Sequence, residues 1–223
     1  MPDSPRTARE RYQEVAAARS DIQRHLPRLR HEARGTVLEL GVRGGSSTVA
    51  LLAGLEERGG TLWSVDVDPA SASVFPDHPQ WRFVQADSRD ESPVVDAGLP
   101  DEIDVLFVDT LHTYEQVRDE LAVWGDRVVH GGVILFHDTD SYPLIRRAVS
   151  EWCKPRSVPF EFRGRSNGLG VAYPGRGVGS GVLTWIRRET HLIWFWFVFG
   201  VTWLVRLPRR IARRAKRMLV SQP

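Results

Sequence analysis

The chain has 223 residues and a formal net charge of +2, which suits one globular domain with appended segments. Its 42% hydrophobic and 26% charged residues are ordinary for such a domain. A single cysteine, Cys153, excludes an internal disulfide and fits a reducing compartment, and the first residues contain no apolar run of the kind found in secretory signal peptides.

Strand and helix patterns alternate along most of the chain. Residues 6–33 contain alternating charges and no glycine, which predicts a helix or a helix pair. Seven short apolar runs then predict strands at Thr36–Gly41, Thr61–Val67, Trp81–Ala86, Ile103–Val108, Gly132–Phe136, Val158–Arg163 and Gly168–Tyr173. Between them, helical patterns cover Ser46–Arg58, Tyr114–Val128 and Ser141–Trp152.

Apolar strands that alternate with helices indicate parallel βαβ units. We therefore expect an α/β fold over residues 36–174, with a seven-stranded, mostly parallel sheet and helices on both faces. A helical segment precedes this domain at residues 1–35, and apolar and basic helices follow it in a tail at residues 175–223. Ligands of such sheets bind beyond the carboxyl ends of the strands, so the residues that follow each strand are the candidates for a site.

The first three strands are followed by a glycine-rich turn and by acids. Gly41 and Gly44 allow a tight turn and a close approach of the backbone to a ligand, and Ser46 begins a helix whose free N–H groups can bind an anion. Asp66 can accept hydrogen bonds from a ribose diol, and Asp87 can reach an adenine amine. The alternatives are a plain strand–helix turn for the glycines and helix N-caps for the acids.

These segments, VLELGVRGGSST, LWSVDVDP and VQADS, resemble the class I S-adenosylmethionine-dependent methyltransferases. The similarity is closest to the branch that contains macrolide sugar O-methyltransferases and cephalosporin-hydroxylase-like proteins, and it covers about residues 36–173. The resemblance implies a Rossmann-like fold and S-adenosylmethionine as the cofactor. It also implies that Glu39, Gly41 and Gly44 border the methionine part, that Asp66 holds the ribose and that Asp87 holds the adenine.

A second group of polar residues follows the fourth and fifth strands. Asp109 comes directly after the fourth strand and His112 three residues later, while His137 and Asp138 follow the fifth. A neutral histidine can take the proton of an acceptor hydroxyl, and a divalent cation can lower the pKa of that hydroxyl. The resemblance implies that Asp109 is a metal ligand, also bordering the cofactor, and that His112 is the general base. Asp109, His137 and Asp138 are thus the expected ligands of Mg²⁺ or another divalent cation.

Two residues depart from the pattern of the family, and other interpretations remain. His137 stands where metal-dependent members have an acid, and Thr110 stands where a glycine is common. Asp109 could instead cap the helix that begins near Tyr114, and His112 could be a surface loop residue. Glu120, with its charged neighbours in that helix, is expected on a solvated face.

The tail differs from the rest of the chain in charge and in apolar content. Nine Lys/Arg and one acid lie from residue 181 onward, which leaves 21 basic and 27 acidic residues before it. Leu192–Val205 has no charge, but its fourteen residues are short for a membrane span. We expect residues 182–219 to lie on an anionic membrane surface, and the alternative is a buried helix at the interface of a homo-oligomer. Nucleic-acid binding is not expected, since aromatic and basic residues do not alternate.

The leading hypothesis is an O-methyltransferase that acts on a sugar, glycolipid or polyketide-type hydroxyl. Its acceptor would be a small molecule, a glycan or a lipid-linked compound, and its location would be the cytoplasmic face of a membrane. An NAD-dependent oxidoreductase is an alternative, although the G-x-x-G-G spacing is not that of dinucleotide binders. A third hypothesis is a membrane-attached module that binds S-adenosylmethionine without turnover.

Overall fold

The computed structural model describes residues 7–164 and 166–175. In that part of the chain, six α-helices are formed by Ala8–Ala17 (α1), Leu26–Glu32 (α2), Ser46–Arg58 (α3), Ser92–Asp96 (α4), Tyr114–Trp124 (α5) and Pro143–Cys153 (α6). Seven strands are formed by Gly35–Leu40 (β1), Gly60–Asp66 (β2), Trp81–Gln85 (β3), Ile103–Val108 (β4), Val128–Phe136 (β5), Phe160–Arg163 (β6) and Leu169–Ala172 (β7). Short 3₁₀ helices lie at Pro69–Ser73 and Gly125–Arg127.

The strands form one sheet in the order β3-β2-β1-β4-β5-β7-β6. β1 to β5 are parallel, and β7 and β6 pair antiparallel at one edge. This confirms the expected Rossmann-like α/β fold with a mostly parallel, seven-stranded sheet. The strand order reverses between β1 and β4, and a ligand crevice forms at such a switch point because the flanking connections leave in opposite directions.

Apolar side chains cover both faces of the sheet. One core cluster lies between the sheet and α1, α2 and α3, and the other lies between the sheet and α4, α5 and α6. In α3, every residue from Ser47 to Leu55 is buried, because α1 and α2 pack against its outer side. This double contact explains why the helix is apolar on nearly all sides. The N-terminal helices therefore belong to the same fold as the sheet.

Some element boundaries differ from the sequence predictions. β5 begins at Val128, four residues before the predicted start, and α5 ends at Trp124. α6 begins at Pro143 and not at Ser141, because proline suits the first turn of a helix, where its missing N–H has no partner.

The predicted tail, with Leu192–Val205 and the membrane-surface segment 182–219, lies outside the described residues. Among the residues that are described, no helix is long and apolar enough to cross a bilayer.

Candidate active site

A cleft of about 470 Å³ lies at the carboxyl ends of β1, β4 and β5. Its walls come from the glycine-rich turn, from the loops after β4 and β5, and from the connection between α1 and α2. The lining residues are Ser20, Asp21, Ile22, Gly41, Val42, Arg43, Gly44, Ser46, Ser47, Asp109, Thr110, His112, His137 and Asp138. A second cavity of similar volume lies around Phe75 and His78, but the predicted site residues do not line it. The first cleft is therefore the candidate active site.

The turn after β1 needs glycine at one position for a steric reason. Gly41 has a φ of +89°, and a Cβ atom placed there would lie 2.1 Å from the carbonyl oxygen of Asp109. A side chain is thus excluded where the ends of β1 and β4 meet. By contrast, a Cβ on Gly44 would meet nothing within 4 Å. The turn then leads into α3, which begins at Ser46. The first residues of this helix, and with them its free N–H groups, lie at the cleft.

The Asp66 side chain holds the glycine-rich turn in place through hydrogen bonds to its backbone. Its Oδ2 accepts hydrogen bonds from the N–H groups of Val42 at 2.8 Å and Arg43 at 3.0 Å, and its Oδ1 accepts one from Asp68 at 2.9 Å. Burial favours the neutral carboxyl group, but these backbone donors outweigh it, and the pKa of Asp66 is lowered. Asp66 is therefore ionised and already supports two residues that line the cleft.

Two of the predicted cofactor acids, Glu39 and Asp87, do not line the cleft. Glu39 is fully buried and accepts hydrogen bonds from Thr48 Oγ1 at 2.9 Å and Ser64 Oγ at 2.6 Å. Burial, partly offset by these donors, raises the pKa of Glu39 to about 7. The half-buried Asp87 binds Arg89 through both oxygens, and that contact lowers the pKa of Asp87 to about 2.

Four titratable side chains meet on the other side of the cleft. His112 Nε2 lies 2.9 Å from Asp138 Oδ2 and 3.5 Å from Asp109 Oδ1. His137 Nδ1 lies 3.3 Å from Asp109 Oδ1 and 3.3 Å from Asp138 Oδ1. The strand pairing explains this meeting, because the N–H groups of Asp109 and His137 continue the ladder from β1 to β4 and from β4 to β5. The structure thus brings together the four residues that the sequence singled out after β4 and β5.

The charges of this cluster are coupled. Asp109, and then Asp138, raise the pKa of His112 to about 9, although Asp138 has the nearer oxygen. Burial would raise the pKa values of both aspartates, but contacts with the histidines outweigh it and the pKa values are lowered. Burial would likewise lower the pKa of His137, but Asp109 outweighs it and raises the pKa. The protein alone therefore holds two anionic carboxylates beside an imidazolium at neutral pH.

The donor set of this cluster fits Mg²⁺ poorly. One ligand atom each from Asp109, His137 and Asp138 lies within 4.8 Å of the others. The Asp138 side chain is only 7% exposed, and within residues 7–164 and 166–175 its Oδ1 has no hydrogen-bond partner with suitable geometry. A cation would compensate that oxygen, but Mg²⁺ prefers an octahedron of oxygen ligands, and one of the three donors here is an imidazole nitrogen.

The connection between α1 and α2 contributes residues that the sequence interpretation did not identify. Ser20, Asp21 and Ile22 line the cleft. His25 is buried; its Nε2 lies 2.8 Å from the carbonyl oxygen of Ser166, and its ring meets that of His137 edge-to-face at 5.4 Å. No sequence motif marks these positions, since only the packing of α1 and α2 on α3 brings them to the site.

The position of Glu120 differs from its predicted position, and its contacts explain why Thr110 stands where the family motif commonly has glycine. It is fully buried, so its assignment to a solvated helix face is wrong. Its Oε1 accepts hydrogen bonds from Ser88 at 2.5 Å, Thr110 at 2.7 Å and Gln116 at 2.8 Å. Burial raises the pKa of Glu120 despite these donors. Thr110 therefore ties the loop after β4 to α5, a contact that glycine could not make.

An apolar rim lies beside His112. Leu111 is 68% exposed, Tyr142 44% and Leu144 53%. The Tyr142 ring stacks on the His112 ring, with 4.4 Å between centroids and 14° between planes. Tyr142 was not predicted; its only sequence signal is that it follows the polar cluster after β5 and precedes the helix-starting Pro143.

The sheet order, the glycine-rich turn at the switch point and the polar cluster after β4 and β5 define a Rossmann-like α/β domain with a ligand cleft. In a comparison with known protein families, the profile described as a methyltransferase domain matches residues 38–139. The matched segment is 102 residues long, slightly less than half of the 223-residue chain. No curated protein matches the chain significantly.

Solved structures share the fold at low sequence identity. The O-methyltransferase NovP is 18% identical, with a TM-score of 0.55 over 69% of this chain and 81% of its own. MycE from the mycinamycin biosynthetic pathway, in complex with Mg, S-adenosylhomocysteine and mycinamycin VI, is 18% identical, with a TM-score of 0.54 over 76% of this chain and 54% of its own. CalS11, a TDP-rhamnose 3′-O-methyltransferase of calicheamicin biosynthesis, is 17% identical, with a TM-score of 0.51 over 78% of this chain and 96% of its own. At these identities the matches establish the fold.

Proposed function

We propose that the protein transfers the methyl group of S-adenosylmethionine to a hydroxyl oxygen of a sugar, glycolipid or polyketide-type acceptor. One observation carries the proposal: the glycine-rich turn and the cluster around His112 line the same cleft. A cofactor on the turn and an acceptor beside His112 would therefore be neighbours.

The cofactor occupies the side of the cleft formed by β1 and β2. Gly41, Gly44 and Ser46 border its methionine part, where the open space at Gly44 and the N–H groups of α3 accommodate a carboxylate. Asp66 accepts a hydrogen bond from the ribose while it holds the turn. Asp87 binds the adenine amine after it releases one of its contacts with Arg89. Glu39 is fully buried and stabilises the start of α3, directly after the turn, through its hydrogen bond with Thr48.

His112 acts as the general base. It takes the proton of the acceptor hydroxyl, the oxygen forms a bond to the methyl carbon, and the carbon–sulfur bond breaks to leave the neutral thioether S-adenosylhomocysteine. A base must be neutral, and in the protein alone the pKa of about 9 favours the imidazolium. The sulfonium cation of a bound cofactor would disfavour that second positive charge and lower the pKa of His112. Asp138 then stabilises the imidazolium as it forms.

The rim around His112 suits an acceptor with an apolar or ring-shaped face. Tyr142 stacks on the His112 ring, and the exposed side chains of Leu111 and Leu144 lie within two residues of these rings along the chain. Support also comes from similar folds, since the structure of MycE contains a macrolide and CalS11 is described as acting on TDP-rhamnose.

The test is a screen for transfer of a labelled methyl group from S-adenosylmethionine to glycan, lipid and polyketide extracts. The wild type should label an acceptor at oxygen, and His112→Ala should lower the rate by about 10²–10⁴-fold at unchanged cofactor affinity. His31→Ala removes an exposed histidine of α2 and is the matched control. Normal turnover by His112→Ala would show that His112 is not the base. A wild type that binds the cofactor but labels no acceptor would favour the module without turnover.

The tail supplies a location for this activity. Residues 182–219 attach the domain to an anionic membrane surface, supported by the uncharged run Leu192–Val205 and the seven Lys/Arg that follow from Arg206 to Arg217. Flotation with anionic liposomes at low and high salt tests the attachment, and replacement of Arg213 and Arg214 by Gln should weaken it. A full-length chain that stays in solution as a dimer would favour the interface alternative.

A further inference from the structure

We propose that Asp109, His137 and Asp138 bind a divalent transition-metal ion, such as Co²⁺ or Zn²⁺, in preference to Mg²⁺. This rests on the proposed function in one respect: it places the ion beside the methyl-transfer site. The selectivity itself follows from the three side chains.

The spacing of the donor atoms suits an ion. His137 Nδ1 is 3.3 Å from one oxygen of each aspartate, and the three donor atoms lie within 4.8 Å of one another. With metal–ligand bonds of ~2.0–2.2 Å, adjacent ligands lie ~3 Å apart and opposite ligands ~4.2 Å apart. The side chains therefore need to move by only a fraction of an ångström to close around an ion.

Asp138 gives an independent indication of a ligand site, because one of its two buried oxygens is not satisfied by the protein groups that the structure describes. Its side chain is more than nine-tenths buried, and its Oδ1 makes no hydrogen bond of good geometry with any residue that the structure describes. An unsatisfied buried oxygen is costly, and the cost is greater for a charged group. This Oδ1 faces His137, whereas Oδ2 faces His112. One carboxylate thus serves the ion with one oxygen and the base with the other.

The donor chemistry decides which ion binds. Two carboxylates and a neutral imidazole balance a charge of +2. Imidazole nitrogen is a good ligand for Zn²⁺ and Co²⁺, whereas Mg²⁺ keeps oxygen ligands and water. An acid at position 137 would complete an all-oxygen set, so this single residue accounts for the expected selectivity. His137 is almost fully buried and held by its neighbours, with its side chain 2% exposed, so it cannot easily turn away.

The experiment measures ion binding to the untagged, full-length, metal-free protein by calorimetry, with Co²⁺ and Mg²⁺ titrated separately. We expect Co²⁺ to bind at least about tenfold more tightly than Mg²⁺. The Co²⁺ form should show a visible absorption band that the His137→Asp variant changes, because a nitrogen ligand is lost. Most sites with nitrogen or oxygen ligands favour Co²⁺ over Mg²⁺ to some degree, so the decisive comparison is between variants. His137→Asp should shift the preference toward Mg²⁺, Asp138→Asn should weaken binding of both ions, and His31→Ala should change neither.

Equal or tighter binding of Mg²⁺ by the wild type would overturn the inference, as would an unchanged preference in His137→Asp or no binding of any ion. Binding of S-adenosylhomocysteine is measured on the same samples. Cofactor binding without ion binding refutes the metal site alone. Ion binding without cofactor binding leaves the metal site standing and refutes the proposed function.

Discussion

The raised pKa of His112 can be tested by removing its two carboxylate neighbours one at a time. In the protein alone the pKa is about 9, first because of Asp109 and then because of Asp138. At pH 7 a group with that pKa is neutral in about one molecule in a hundred. Because only the neutral form accepts a proton, a base in this state becomes more effective as the pH rises toward 9.

The size of the effect follows from the distances. Asp138 Oδ2 lies 2.9 Å and Asp109 Oδ1 3.5 Å from His112 Nε2, and the His112 side chain is 29% exposed. A charge pair at such a distance interacts by ~1–4 kcal/mol, depending on its access to water. Solvent access places the interaction toward the lower end of that range, and one pKa unit corresponds to ~1.4 kcal/mol. Asp138→Asn and Asp109→Asn should therefore each lower the pKa of His112 by about 1–2 units.

The assay is an NMR titration of histidine ring carbons in metal-free buffer from pH 5 to pH 10.5, with His112→Gln used to assign the signal. Asp140→Asn is the matched control, because the Asp140 carboxylate pairs with Arg146. A wild-type midpoint near 6.5 would refute the reasoning about the cluster. A high midpoint that neither variant lowers would show that something other than these two carboxylates causes the shift.

Two further predictions concern buried or partly buried acids. Asp66→Ala should weaken binding of S-adenosylhomocysteine by about 1–3 kcal/mol, because the ribose and two N–H groups of the turn lose their acceptor. Calorimetry measures this affinity. The control is Asp68→Ala, which removes only the cap of a 3₁₀ helix and should bind nearly as the wild type does. Glu120→Ala should lower the free energy of unfolding by about 2–4 kcal/mol, because alanine leaves three donors without an acceptor and opens a cavity. Glu120→Gln should lower it by less. Equal stability of the alanine variant and the wild type in urea denaturation would contradict this prediction.

The sheet could be predicted from the sequence because its strands are short, apolar and separated by clear turn signals. Ile103–Val108 and Ser46–Arg58 have the predicted bounds. The meeting of Asp109 with His137 and Asp138 was also predictable, because consecutive parallel strands usually lie side by side. Local pattern was less informative at α5, where the helical periodicity continues past Trp124 although the chain turns there.

Contacts between distant segments could not be predicted in the same way. The helix periodicity of α5 identifies Glu120 as polar, but its burial depends on Ser88 and Thr110, which reach it from the ends of two different strands. The approach of Ser20–Ile22 to the cleft likewise depends on how α1 and α2 pack on α3. Such positions are fixed by tertiary packing, and a single sequence carries no periodic signal for them.

The same contacts make the two halves of the cleft mechanically dependent on each other. Gly41 lies against the carbonyl group of Asp109, the Asp109 side chain contacts His137 and His112, and Asp138 contacts His112 from the next strand. A shift of the glycine-rich turn should therefore move the loop that carries His112, since the ends of β1 and β4 leave no space for a Cβ atom at Gly41. Densely packed contacts of this kind transmit displacement and do not absorb it. The close approach at Gly41 thus sets the distance between the expected sulfonium and His112, which in-line methyl transfer requires to be correct within a fraction of an ångström.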